Sequence, residues 1–248
     1  MADLSLTLHL AGLAVAAVSL GADLAQRGRR WLPILALAPL VSLLLWRGLD
    51  IRFLPLTNKF ESFLCFAVAC LAVATLRHAH LTWLGRALLG AVAVAFLGIA
   101  LGFERAVHYP SPLLITGWYA AHVPLSFVGY ALWVTAAADG LDGLVRLVPE
   151  EEAARRQDRS MNLGLAFFSA AMIFGSVWGV VSWGVYFLWD AKILWSLALW
   201  LYFASLVHLR YWPLHHRQAR ALFGFLGLLA TLFTYVGTSF MKGSIHSF

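Results

Sequence analysis

Residues 161–209 read MNLGLAFFSAAMIFGSVWGVVSWGVYFLWDAKILWSLALWLYFASLVHL. Two apolar runs, 161–181 and 193–209, flank a short connection that carries the charges of Asp190 and Lys192. An α-helix needs about 20 apolar residues to cross the ~30 Å hydrocarbon core of a bilayer. The stretch therefore predicts two membrane-spanning helices joined by an aromatic connection.

The same pattern recurs along the whole chain of 248 residues, which is 61% hydrophobic and 12% charged. An average soluble domain has about 25% charged residues, so an ordinary soluble fold is excluded. The apolar runs number eight: 4–24, 31–46, 60–76, 84–103, 118–138, 161–181, 193–209 and 221–240. We predict an all-α fold, a polytopic transmembrane helix bundle of about eight spans. It would form a single membrane domain, residues 1–248, with a four-helix part at 1–110 and a second part at 111–248.

Basic residues set the expected orientation, because they favour the cytoplasmic side of a membrane. The first run lacks a basic leader and a cleavage pattern, so we interpret it as a retained span. If both termini lie outside, the inside holds Arg27, Arg29, Arg30, Arg77, Arg86, Arg146, Arg155, Arg156, Arg159, Arg210, Arg217 and Arg220. The outside then holds Arg47, Arg52, Lys59, Arg105, Lys192 and Lys242. We therefore predict that both termini are outside.

This orientation has two consequences for the loops. The largest inside loop is 139–160, and its run EEEAARRQDR is typical of a solvated helix or linker. The outside face receives PLTNKFES at 55–62, His122, SWGVYFLWDAK at 182–192 and GSIHSF at 243–248. Because the 18 Lys and Arg are dispersed between apolar runs, nucleic-acid binding is a poor interpretation.

The aromatic connection is the densest functional signal. It contains Trp178, Trp183, Tyr186, Phe187, Trp189 and Trp195, with Asp190 and Lys192 at its edge. Anchoring at the headgroup level explains some of these rings. A flat apolar macrocycle with two carboxylates needs such a stacking surface beside charged groups. We interpret the connection as a cofactor platform.

Most histidines and both cysteines have simpler interpretations. Cys65 and Cys70 are spaced five apart in an apolar run, which fits small buried hydrophobic residues better than a redox or zinc pair. His9 has no motif around it and is expected to be structural. His122 differs, because an ionisable group inside a span usually faces a cavity or a partner and marks function.

Residues 176–210 resemble the tryptophan-rich WWD domain of the cytochrome c assembly family, the CcsA, CcmC and CcmF haem-handling membrane proteins. The segments 55–62, 118–133 and 232–248 also resemble CcsA segments in the same order, and eight spans favour the CcsA type over the six-span CcmC type. The chain departs from the usual family pattern WG-x-YWSWDPKET at Phe187, Leu188, Ala191 and Ile193. The missing Glu and Pro leave Asp190 and Lys192 as the charged edge.

The resemblance implies a set of site residues and a cofactor, haem b. His122 and His246 would be the axial ligands of an outer haem held against Trp178, Trp183, Tyr186, Trp189, Asp190 and Lys192. His208 lies about 27 Å along its helix from Asp190, too far to ligate the outer haem. The resemblance implies that it binds a second haem inside the membrane. The second ligand of that haem is expected from a partner protein, or from His78 or His80.

The resemblance also implies a function and partners. The chain would be the CcsA component of a system II cytochrome c synthase in a bacterial inner membrane. With a CcsB or ResB-type membrane protein, it would present haem to the Cys-x-x-Cys-His motif of apocytochrome c on the periplasmic face. Whether the chain is itself an enzyme stays open, and no residue in it needs to be catalytic. Two alternatives are a CcmC-like carrier that loads a haem chaperone and a di-haem b electron-transfer subunit.

Overall fold

The computed structural model describes residues 2–209 and 217–241, and every regular element in them is helical. The α-helices are α1 Ala2–Leu24, α2 Trp31–Ile51, α3 Lys59–Leu76, α4 Trp83–Ala100, α5 Gly117–Leu144, α6 Glu150–Trp183, α7 Ala191–Leu209 and α8 Arg217–Tyr235. Two 3₁₀ turns add His78–His80 and Gly237–Phe240. The prediction of an all-α helix bundle is confirmed.

The chain divides into two compact units, Met1–Ala120 and Ala121–Phe248. The prediction of one membrane domain with parts at 1–110 and 111–248 stays a prediction, since compactness alone does not define a folding domain. In the first unit, α1 packs on α2 and α4, while α3 packs on α2 and α4. The four helices thus form a closed ring of neighbours.

A buried ion pair holds one end of the first unit. Arg47 and Glu61 are both fully buried, with 2.7 Å between guanidinium and carboxylate. Arg47 also donates to the carbonyls of Arg105 and Ala106 at 2.9 and 3.1 Å. Asn58 caps α3 by accepting from the Glu61 amide at 2.9 Å. The segment 55–62 therefore forms a capped and ion-paired corner.

The second unit is built around α5. The Trp133 ring of α5 stacks on Phe203 of α7 with centroids 3.9 Å apart and an interplanar angle of 6°. Phe168 of α6 packs on the same Trp133 at 5.0 Å. Polar contacts also link these helices. The buried Ser160 hydroxyl of α6 donates to Asp139 of α5 at 2.8 Å, and Arg220 of α8 pairs with Asp158 of α6 at 2.9 Å. These contacts join α5, α6, α7 and α8 through their side chains.

Seven of the described helices, α1 to α7, are long and apolar enough to cross a bilayer. This is one fewer than the eight runs found in the sequence. The first turn of α8 contains Arg217 and Arg220. Its apolar part, from Ala221 to Tyr235, would rise only about 22 Å as an α-helix, which is less than the ~30 Å hydrocarbon core. The 3₁₀ turn that follows extends the chain beyond it.

The expected inside loop 139–160 is largely helical. Helix α5 runs on to Leu144 and α6 already begins at Glu150, so the connection is 145–149. The run EEEAARRQDR forms the first turns of α6, as expected for a solvated helix, but Gln157 and Ser160 of that region are buried. The orientation with both termini outside stays a prediction.

Candidate functional site

His122 lies near the start of α5 and is held by α6. Its Nδ1–H donates to the carbonyl of Ala171 at 2.7 Å. A carbonyl oxygen only accepts, so this bond requires the proton on Nδ1, and in the neutral imidazole the lone pair is then on Nε2. The ring also stacks on Trp178, with centroids 6.3 Å apart and an interplanar angle of 21°. These two contacts orient the His122 ring against α6.

The predicted aromatic platform begins where α6 ends. Trp178, which is 3% exposed, contacts Trp183 edge to face at 4.7 Å. Gly184 then ends α6 with a φ of 76°, a left-handed conformation that favours glycine. Ring contacts thus run from His122 through Trp178 to Trp183, so the structure brings these three residues together.

The aromatic residues that follow Gly184 in the connection are exposed. Trp189 is 86% exposed and Tyr186 is 69% exposed. Phe187 contacts Trp189 edge to face at 5.5 Å. Large rings exposed in the connection between two helices provide a stacking surface, whereas Trp178 supports the site from within. The platform residues predicted from sequence therefore occupy different positions, some exposed and one buried.

Asp190 and Lys192, the expected charged edge, both have structural contacts. Asp190 is 7% exposed, and its Oδ1 accepts from the backbone amide of Lys192 at 2.9 Å. This is the geometry of an N-cap at the start of α7. The Lys192 ammonium lies 5.7 Å from the ring centroid of Tyr235, at the end of α8. Any haem contact of these two groups stays a prediction.

Of the two remaining predicted iron ligands, the structure describes His208 but not His246. His246 lies outside the described residues. His208 lies near the end of α7, is exposed, and donates from Nδ1 to the carbonyl of Ala204 at 2.7 Å. The Nε2 lone pair of His208 therefore points away from its own helix backbone, on a helix with little buried surface. About 26 Å of helical rise separates Ala191 from His208, so the two predicted haem positions are distinct.

Other histidines and the cysteines have local partners or local burial. His9 is fully buried and donates from Nε2 to the Leu97 carbonyl at 2.9 Å, as expected of a structural histidine. His108 lies 3.7 Å from Glu104 on the surface. Cys70 is fully buried, and both cysteines are free thiols. Among residues 2–209 and 217–241, no three His, Cys, Asp or Glu side chains gather as a metal cluster.

Sequence reasoning missed the residues that hold His122. The Ala171 carbonyl carries no side-chain signal, and Gly175, which faces the ring, is one of 20 glycines. The spacing of Ala171, Gly175 and Trp178 is i, i+4 and i+7, which places all three on one face of α6. This spacing is the sequence signal that could have identified them, but small residues are common on membrane helices and the pattern is not specific.

Comparison with known proteins identifies the family of the chain. Residues 40–246 match the family model described as cytochrome C assembly protein. The chain is 27% identical to the cytochrome c biogenesis protein CcsA of Chlamydomonas reinhardtii over 228 residues, covering 84% of this chain and 65% of that protein. It is 24% identical to CcsA of Heterosigma akashiwo over 257 residues, covering 82% of this chain and 79% of the relative. The match to CcsA of Synechococcus sp. (strain JA-3-3Ab) is 24% over 281 residues, covering 84% and 81%.

Proposed function

The chain belongs to the cytochrome c assembly protein family, and from this we propose that it serves cytochrome c biogenesis as a haem-presenting protein of the CcsA type. The observation that carries the proposal is the state of His122. Its Nδ1–H is bonded to the Ala171 carbonyl, so Nε2 carries the lone pair that iron needs. The exposed rings of Tyr186 and Trp189 supply a surface on which a porphyrin can stack.

Haem is the cargo in this proposal, and it is haem b until it is attached. His122 and His246 are its two axial ligands, with His246 assigned from the sequence alone. Two neutral imidazoles make a six-coordinate iron, which limits side reactions until the acceptor's own histidine displaces one of them. The chain holds and orients haem and needs no covalent step of its own.

Attachment takes place between haem and the acceptor. Each thiol of the apocytochrome Cys-x-x-Cys-His motif adds across one vinyl group, so that sulfur bonds to one carbon and hydrogen to the other. The reaction is balanced without an added oxidant or reductant. The site lies on the periplasmic face of a bacterial inner membrane, and a CcsB or ResB-type membrane protein is the partner.

His208 is the ligand of the second haem position, from which haem moves outward. Its exposed ring on α7 supports a shared site, because a partner protein can supply the opposite ligand. An ionisable side chain within a membrane helix commonly marks such a pathway. His208→Gly is expected to reduce the delivery of haem to the outer site without changing the ligation there.

The test is ligand replacement followed by visible spectroscopy. The chain is purified with its membrane partner as wild type, His122→Gly and His246→Gly, and the low-spin haem spectrum is recorded. Each variant is expected to lose the six-coordinate spectrum and to regain it when imidazole is added, because the deleted ring leaves a cavity of imidazole size. His108→Gly is the matched control, since that ring is half exposed and pairs with Glu104.

The assignment is wrong if both ligand variants keep an unaltered low-spin spectrum without imidazole. Co-purification separates this function from its nearest alternative. A CcmC-like carrier is expected to co-purify with a haem chaperone, whereas the proposed chain co-purifies with its membrane partner and apocytochrome c. A di-haem b electron-transfer subunit would instead show redox turnover with a quinol and no dependence on apocytochrome.

A further inference from the structure

Gly175 of α6 lies directly against the His122 ring. A Cβ built on Gly175 would lie 2.6 Å from His122 Nδ1 and 2.7 Å from Cε1. Real Cβ atoms do not approach so closely, so a side chain at position 175 requires either the imidazole or the α6 backbone to shift. The backbone gives no separate reason for glycine, because Gly175 lies well inside α6 and has no positive φ.

Glycine at an internal helix position has a cost. Glycine is less favourable than alanine at such a position. Because Gly175 has no side chain, the α6 backbone can approach the ring, and the Ala171 carbonyl accepts from Nδ1 at 2.7 Å. One turn further on, Trp178 stacks on the same ring. Ala171, Gly175 and Trp178 thus surround the imidazole with a hydrogen bond, a close contact and a stacked ring.

We propose that Gly175 is a positioning residue for haem ligation, which fixes the tautomer and plane of His122 by leaving room for its ring against α6. This inference rests on the proposed function of His122. Partners that orient a ligating histidine through its second nitrogen contribute roughly 10 to 100-fold to metal affinity. The bond to a carbonyl also makes the imidazole a stronger donor, which favours the oxidised iron.

The experiment uses Gly175→Ala in the full chain, purified with its partner. Haem retained per protein is expected to fall about 10-fold, and the reduction potential of the remaining haem is expected to move to a more positive value. Gly117→Ala is the control, because it lies on α5 with His122 and its added Cβ meets no atom within 4 Å. Both substitutions replace a helical glycine by the better helix former.

A double variant tests whether Gly175→Ala lowers haem retention by displacing the His122 ring. His122→Gly removes the ring that the new methyl group would strike, so His122→Gly/Gly175→Ala is expected to match His122→Gly alone. If Gly175→Ala fails to accumulate, the double variant is expected to accumulate normally. Failure of both to accumulate, or an additive loss of haem in the double variant, overturns the role of Gly175 as a positioning residue.

The outcomes also separate this inference from the proposed function. If His122→Gly loses the low-spin spectrum while Gly175→Ala keeps the wild-type haem content and potential, the inference is wrong and the function stands. If His122→Gly itself keeps the spectrum, the assignment of His122 as a ligand fails first.

Discussion

At the scale of single residues, the Arg47–Glu61 pair shows why two charges are present in an apolar bundle. Both side chains are fully buried, and the carboxylate also accepts from the amide and hydroxyl of Thr57 at 2.7 and 2.8 Å. A buried charge is tolerated when it is paired and its other hydrogen-bonding sites are filled. The pair therefore depends on both members being charged.

Glu61→Gln is expected to lower the free energy of unfolding by about 3 to 5 kcal/mol, because it leaves the Arg47 guanidinium buried without its counter-charge. Thermal unfolding of the purified protein in detergent measures the effect. Glu151→Gln is the matched control, since its partner Arg155 is largely exposed. The double variant Arg47→Met/Glu61→Met is expected to be more stable than Glu61→Gln. Equal stability of Glu61→Gln and wild type would contradict this account.

His78, in the turn between α3 and α4, predicts a pH dependence. Burial lowers the pKa of His78 and the Arg86 guanidinium lowers it further, while Asp23 partly opposes them. A folded-state pKa below the unfolded one means that the unfolded chain binds the proton first as the pH falls. Stability from His78 is therefore full above the unfolded pKa of about 6.5 and is lost as the pH falls through the folded value.

Replacement of His78 with Gln is accordingly expected to weaken the fall in melting temperature between about pH 7.5 and 5. His80→Gln controls for the loss of an imidazole from the same turn. The measurement is a series of thermal melts across that pH range. A wild-type pH profile in His78→Gln would show that the protonation of other groups determines the acid sensitivity.

At the scale of helices, α7 shows how one residue can have two candidate roles. Asp190 closes the start of α7 through its bond to the Lys192 amide, and it also follows the exposed Trp189. Loss of an N-cap costs about 1 kcal/mol, which is too little to prevent insertion of an apolar helix. A change in haem binding can therefore be measured in a protein that still folds.

Asn is as good an N-cap as Asp, so Asp190→Asn is expected to preserve stability while removing the charge. Asp190→Ala removes both and is expected to lower stability by about 1 kcal/mol. Haem retention and melting temperature are measured on each. If Asn retains haem as wild type does and Ala does not, capping is the role of Asp190. If both lose haem equally, the carboxylate acts on the cargo.

The rings nearby give a matched test of the platform. Trp189→Ala is expected to lower haem retention and cytochrome c yield while the protein still inserts, because its ring is 86% exposed and contributes little to the core. Trp31→Ala removes a comparably sized exposed ring from the start of α2. Normal cytochrome c assembly by the Trp189 variant would contradict the role of the platform.

At the scale of the whole molecule, orientation in the membrane decides which ends of the helices would meet the proposed acceptor. In the second unit, the contacts of His122 with α6 place the start of α5 beside the connection that follows α6. The connection 145–149 joins the opposite ends of α5 and α6. The positive-inside rule assigns 145–149 to the cytoplasm and the aromatic connection to the outside.

Cysteine labelling tests this orientation in intact cells. With Cys65 and Cys70 replaced by Ala, Tyr186→Cys is expected to react with a membrane-impermeant maleimide, and Val145→Cys is expected to react only after lysis. Both positions are exposed in the structure, which makes them a matched pair. Labelling of position 145 but not 186 from outside would reverse the orientation, as would labelling of position 248 only from the cytoplasm.

The sequence alone determined the class of fold, because membrane spans are specified by length and apolarity, which are local properties. It located all eight helices, although α6 begins eleven residues before the predicted run and α5 ends six residues after it, and it singled out His122 and the aromatic connection. It predicted a loop where α5 ends and α6 begins, because the charged residues there obscure the helical pattern. In the structure both helices extend into this region, and Gln157 and Ser160 of α6 are buried.

Only the tertiary structure decided how the site is held. The bond from His122 to the Ala171 carbonyl, the closeness of Gly175 and the cap formed by Asp190 all involve backbone atoms. Every residue has the same backbone groups, so a sequence does not show which carbonyl will meet which ring. That choice depends on how α6 approaches α5, which contacts elsewhere along the pair set, such as Trp133 with Phe168 and Asp139 with Ser160.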